Sequence, residues 1–96
     1  MIKRNKSILT DNMERCFFCG RPKEHIHEVF YGTDNRQKSI QWGCYIPLCL
    51  AHHTGSKNSV HRNHALDMQL KQITQTKFEE MYGHDKFMEV FHKSYL

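Results

Sequence analysis

Apolar positions change their spacing twice along this chain. In the stretch 25–31, Ile26, Val29, Phe30 and Tyr31 are strand-forming residues. In 40–48 so are Ile40, Trp42, Tyr45 and Ile46, and two short β-strands are predicted. Between them Gly32-Thr33-Asp34-Asn35-Arg36 reads as a turn-rich, partly basic loop. From 65 to 82 the spacing becomes helical, with Leu66, Leu70, Ile73, Phe78, Met81 and Tyr82 near one face. Gly83 stands where a left-handed cap commonly ends a helix, and Phe87, Val90 and Phe91 predict a second, short helix over 85–92. The stretch 51–63 is polar and reads as a helix start at His52-His53 followed by a loop. Residues 1–14 carry Lys3, Arg4 and Lys6 around a lone apolar pair, Ile8-Leu9, and predict a flexible basic segment. No repeat or low-complexity stretch interrupts this order.

These elements make one small α+β domain over 15–96, preceded by the basic segment. A chain of 96 residues buries a limited core, and small domains commonly add a metal or disulfide staple. Four cysteines and eight histidines point to a metal. No apolar run approaches the ~18 residues of a membrane span. Ile8-Leu9 is too short for the core of a signal peptide. A cytoplasmic protein with reduced thiols is therefore expected, and no membrane partner. Fourteen Lys and Arg against ten Asp and Glu give a formal charge of +4. That balance mildly favours an anionic partner such as nucleic acid and says nothing about the fold.

Cys16-Phe17-Phe18-Cys19-Gly20 is a C-x2-C knuckle whose glycine lets the backbone turn round a metal. Thirty residues on, Cys49-x2-His52 forms a second pair. Together they supply four soft or borderline donors, the set of a closed tetrahedral structural zinc of Cys3His type. Cys44 is at x2 spacing from no other candidate and reads as a small core residue, with competition for the place of Cys49 as the alternative. A thioredoxin-type C-x-x-C opens a helix in a βαβ setting, and nothing after Cys19 has that pattern. His27-Glu28 begins like H-E-x-x-H, but Tyr31 occupies the second histidine position, which excludes a zincin helix.

The chain resembles the small HNH nucleases of the treble-clef, ββα-metal (His-Me finger) type, as in short forms encoded by phages and prophages. The residues that carry the resemblance are Cys16-x2-Cys19-Gly20, His27-Glu28-Val29-Phe30-Tyr31-Gly32, Asn35-Arg36, Pro47-Leu48-Cys49-x2-His52-His53 and Val60-His61-Arg62-Asn63. They span Cys16 to about Tyr82. The resemblance implies a structural zinc beneath a hairpin and helix that clamp one catalytic divalent cation. It implies His27, His53 and His61 as ligands of that cation, with Asn63 as the alternative to His61. It places Glu28 where the general base stands. It also implies a phage- or bacterium-encoded endonuclease that nicks or cuts DNA.

Two positions differ from the family pattern. Glu28 replaces the usual base histidine, and with an ordinary pKa near 4.3 it needs a site that raises that value to work as a base near neutrality; direct metal binding, with His25 or His27 as the base, is the alternative role. Cys44 stands at the middle asparagine that orients the base, leaving Asn35 as a substitute. Several imidazoles favour Mn or Ni over Mg at such a site. Arg36, Lys38, Lys57 and Arg62, with Arg21 and Lys23, lie in or beside this region as candidate phosphate contacts. Arg36 is the foremost, since its loop adjoins the expected cleft. His25 reads as a solvated strand residue, and His64, His84 and His92 are given no role. A second function class stays open: a catalytically silent zinc module that binds nucleic acid or a protein partner, such as a phage accessory or inhibitor factor.

Overall fold

Strand β1 (His25–Glu28), helix α1 (Asn35–Trp42), strand β2 (Tyr45–Leu48), a π-helical turn (Ala51–Gly55), helix α2 (His64–Tyr82) and helix α3 (His84–Phe91) follow one another along the chain. The computed structural model describes residues 5–96; residues 1–4, with Lys3 and Arg4 of the expected basic segment, lie outside the described residues. The protein is a small α+β fold with one two-stranded antiparallel sheet. Its register pairs His25 with Leu48, Ile26 with Pro47, His27 with Ile46 and Glu28 with Tyr45. Alternation along β1 puts His25 and His27 on one face. His27 is buried there and His25 is exposed.

The strands are shorter than the sequence pattern suggests. β1 ends at Glu28, and Val29 and Phe30 run on into the core, with the Val29 N–H donating to the Cys44 carbonyl at 2.9 Å. The expected turn is present at 32–34, but Asn35 and Arg36 and the start of the expected strand at 40–48 belong instead to α1. Ile40 and Trp42 flank polar Gln41 and so imitate strand alternation, but Arg36, Gln37 and Lys38 are good helix formers. Ser39 fastens α1 to the end of β1: its hydroxyl donates to the Phe30 carbonyl at 2.7 Å and accepts from the Phe30 N–H at 3.1 Å.

Gly43 ends α1 in the left-handed conformation, φ 77°. A Cβ built there would collide with the Lys6 carbonyl oxygen. Gly43→Ala is therefore expected to lower stability by about 2 kcal/mol or more, through left-handed strain and displacement of the Lys6 backbone. Chemical denaturation of the two proteins measures it, and an unchanged midpoint would contradict the assignment.

The close approach at Gly43 reflects an unexpected role for the first residues. Gly43, Tyr45 and Pro47 aim their carbonyls away from β1. They accept from the Ile8 N–H at 2.9 Å, the Ser7 hydroxyl at 2.7 Å and the Phe17 N–H at 2.8 Å. The segment 7–17 thus covers the free edge of β2, and packing continues across the expected boundary at residue 14. Ile8 and Leu9 lie against the core. Pro47 is tolerated because the position of its missing N–H faces this outer edge and not β1.

α2 starts where Asn63 caps it, its Oδ1 accepting from the Leu66 N–H at 3.0 Å. Its buried face is Asp67, Leu70, Thr74, Gln75 and Phe78, while Ile73, Met81 and Tyr82 of the expected apolar stripe are exposed. α3 closes the core with Phe87 and Phe91. The Phe30 ring lies 4.5 Å from that of Phe91 and 5.3 Å from that of Phe87 in tilted and edge-on contacts. The α3 and Tyr95 tail therefore completes this core. Cys44 is fully buried in it, where burial pushes its thiol up to about 12 and keeps it protonated.

Candidate metal centre

The knuckle is a tight hairpin. The Cys16 N–H donates to the Arg21 carbonyl at 2.7 Å and the Gly20 N–H to the Cys16 carbonyl at 2.9 Å. Gly20 supplies the left-handed turn, φ 76°. The Phe17 bond to Pro47 lays this hairpin beside the end of β2, which leads straight into Cys49. The π-helical turn then swings His52 back. Cys16, Cys19, Cys49 and His52 converge, with one donor atom from each within 4.8 Å of the others.

Three of the separations test the fit to zinc. Cys16 Sγ lies 3.7 Å from His52 Nδ1, Cys19 Sγ 3.7 Å from Cys49 Sγ, and Cys49 Sγ 3.3 Å from His52 Nδ1. A tetrahedral ion with Zn–S near 2.3 Å and Zn–N near 2.0 Å sets its donors roughly 3.3–3.8 Å apart. The charge balance agrees. Burial would raise the Cys16 thiol, but the backbone N–H groups of Cys49, Cys19 and Phe18 hold it down to about 6. The Arg21 backbone N–H favours ionised Cys19, yet burial and the neighbouring thiols of Cys16 and Cys49 outweigh it and raise the group. A bound cation would offset the cost of ionising Cys19 beside its neighbours. The Cys3His cluster can hold a metal such as zinc, and Cys44 takes no part in it.

The next residue after His52 belongs to a second group. His27 from β1, His53 from the π-helical turn and His61 from the loop before α2 also bring one nitrogen each within 4.8 Å of the others. His53 Nε2 faces His61 Nε2 at 3.2 Å, a separation that two imidazoles on one ion adopt. The ring of His27 lies 5.2 Å from that of His53 and 5.0 Å from that of His61. Burial, then the nearby His61 and His53, push His27 down to about 3. Burial, then His61 and His25, bring His53 down to about 4. Both imidazoles are thus neutral near pH 7, with lone pairs free to bind a cation. Among the described residues, His27 Nε2, His53 Nδ1 and Asp67 Oδ1 are buried without a hydrogen-bond partner. A ligand-free His27 leaves a buried nitrogen unsatisfied, and a metal ion would satisfy it.

The three histidines open into a cleft of about 210 Å³ lined also by Ile26, Glu28, Tyr31 and Arg36. Glu28 does not belong to the converging donor set. Its carboxylate pairs instead with Arg36, Oε1 to Nε 3.5 Å, at the cleft wall. Arg36 is 63 % exposed and is the one cationic side chain of those expected near phosphate that lines the cleft. Lys38 lies on α1, while Lys57 and Arg62 are exposed on the loop before α2. Asn63, the alternative to His61, is occupied as the α2 cap. His25 stacks beside His53 at 5.0 Å but stays outside the donor set.

Behind the cleft lies a group that the sequence does not announce. The Tyr31 hydroxyl donates to Asp67 Oδ2 at 3.0 Å, and Lys71 Nζ donates to the same oxygen at 2.9 Å. Burial alone would lower the Lys71 ammonium, but Asp67 outweighs it and raises the group, so Lys71 keeps its charge. Asp67 and Lys71 read in sequence as ordinary solvated positions of a helix, and only the contact with Tyr31, 36 residues away from Asp67, gives them a role.

No protein-family profile matches the sequence, and neither the curated proteins nor the solved structures contain a significant match. No helix among the described residues is long and apolar enough to cross a membrane.

Proposed function

We propose that the chain is a metal-dependent endonuclease of HNH type, hydrolysing DNA phosphodiester bonds on a zinc-stabilised treble-clef, ββα-metal core. The observation that carries the reading is the convergence of His27, His53 and His61 beside the Cys3His cluster. A zinc staple uses none of these three, yet the fold gathers them from three elements into one cleft. The antiparallel β1–β2 pair followed by a helical turn bearing His53 supports the same architecture, with α1 as an insertion between the strands.

Phosphodiester hydrolysis needs a nucleophilic water, a partner for charge developing on phosphate, and a proton acceptor. His27, His53 and His61 would hold a divalent ion in the cleft, which would supply Lewis acidity there. Glu28, at the wall of that cleft, accepts the proton. Arg36 holds a phosphate oxygen through its exposed guanidinium. Lys38, Lys57 and Arg62 add sequence-independent attraction that weakens with salt. Three imidazole donors and no carboxylate favour Mn or Ni over Mg.

The test is relaxation of supercoiled plasmid by the purified protein with Mn, Ni, Mg or EDTA. Nicking that appears with Mn or Ni and vanishes with EDTA supports the proposal. A protein that holds one zinc, binds DNA or a partner and cuts with no metal would overturn it in favour of the silent zinc module. One observation favours that second reading: Glu28 is tied to Arg36 and lies outside the donor set.

A further inference from the structure

The Asp67–Lys71 pair is hard to explain as a stabilising device. Its side chains are only 6 % and 12 % exposed. Removing two charges from water costs about as much as the pair returns, and apolar replacements of similar size are often neutral. A solvated i,i+4 pair elsewhere on α2 would serve the helix equally well. What this pair does that no surface pair does is grip Tyr31. The phenol donates to the carboxylate oxygen that Lys71 also binds, and Lys71 Nζ lies 4.2 Å over the centre of the Tyr31 ring. Tyr31 is thereby held at its hydroxyl and on its ring face by the first two turns of α2.

The ring so held lines the histidine cleft. It lies 5.3 Å from the ring of His61 and 6.0 Å from that of His27. His61 is the member of the trio that needs support. It is exposed, and it sits on a loop rather than on a strand or helical turn. Its Nε2 faces Nε2 of His53, itself a member of the cluster, at 3.2 Å. An imidazole on a loop loses rotamer freedom when it binds an ion, and a fixed wall beside it reduces that loss beforehand.

We propose that Tyr31, clamped by Asp67 and Lys71, is a positioning residue that orients His61 for a divalent cation in the three-histidine cleft. The inference rests on the metal reading of that cleft and adds to it the chain of contacts that organises the site. Outer groups that orient ligands typically change metal affinity by about 10–100-fold.

Calorimetric titration of Ni²⁺ into the zinc-loaded protein tests it, comparing the native chain with Tyr31→Phe, Tyr31→Ala and Asp67→Asn. Zinc content and thermal midpoint are recorded for each. The expected result is nickel binding weakened about tenfold in Tyr31→Phe and further in Tyr31→Ala, with one zinc retained. A purely structural role would lower the thermal midpoint and leave nickel affinity unchanged, and that result overturns the proposal while the metal site stands. Absence of nickel binding by the native, zinc-loaded protein overturns both the metal reading and this one. If Asp67→Asn does not fold, Tyr31→Phe decides the matter alone, because it removes one oxygen and keeps the ring.

Discussion

On the structural-zinc reading, stripping the metal from Cys16, Cys19, Cys49 and His52 is expected to unfold the protein, not merely soften it. The knuckle, the end of β2 and the π-helical turn meet at these four side chains. Cys16 and Cys49 are also members of the buried core, so releasing the ion would leave two polar side chains without their shared partner inside it. A structural zinc contributes about 10–16 kcal/mol of apparent binding free energy near neutral pH. A domain of this size has a total stability of about 5–15 kcal/mol. Taking away a term as large as the whole leaves no cooperative fold. Cys49→Ser is expected to do the same as a strong chelator. Cys44→Ala is the informative control: it removes an equally buried thiol from outside the cluster, so it should cost about 1–2 kcal/mol and keep the metal. Circular dichroism melts with metal analysis on the same samples measure all three. A metal-free protein that melts like the loaded one would remove the structural role of the cluster.

The parts of this molecule that the sequence makes legible are those written in local spacing. The C-x2-C and C-x2-H pairs lie at fixed offsets, and α2 and α3 follow from helical periodicity; Gly83 does separate them, but at φ 92° and ψ 160°, not in the left-handed cap conformation expected there. The parts that stay hidden depend on contacts between distant residues. α1 imitates a strand because Ile40 and Trp42 alternate with Gln41. The decisive signals are Gly43 and the Ser39 bonds to Phe30, of which only the glycine is visible in one dimension. Residues 7–14 look like a solvated tail because their contribution is the bond from the Ile8 N–H to Gly43 and that from the Ser7 hydroxyl to Tyr45, which apolar periodicity does not record. Polar Asp67, Thr74 and Gln75 occupy the buried face of α2 because each has a partner there. Thr74 donates to the Leu70 carbonyl at 2.7 Å, and Gln75 accepts from the Tyr95 N–H at 2.7 Å. Periodicity puts such residues outside by default. The same limit applies to the site: three histidines can be nominated from sequence, but not the tyrosine behind them.

On the nuclease reading, His53→Ala is expected to reduce plasmid nicking to background while leaving the structural zinc in place. His53 is adjacent in sequence to His52 yet belongs to the other donor group, so the substitution separates the two sites. Glu28→Gln is expected to slow nicking by about 10²–10⁴-fold at saturating DNA, the range attributed to a general base. Its carboxylate has another assignment to defeat, because it pairs with Arg36 at 3.5 Å. If Glu28 serves only to hold Arg36, then Glu28→Gln and Arg36→Ala should have effects of the same size, and the double variant should be no worse than either. If Glu28 accepts the proton, its loss falls on kcat, whereas Arg36→Ala falls mainly on DNA affinity and on the salt dependence of binding. The double variant then combines the two losses, since they act on different steps. Nicking by Glu28→Gln at the native rate would exclude it as the base. Because the other side chains lining the cleft are Ile26, Tyr31, Arg36 and the three histidines, the proton acceptor would then have to be an imidazole not committed to the metal. His25, whose ring lies 5.0 Å from that of His53 and which stays outside the donor set, is then the imidazole to test by His25→Ala.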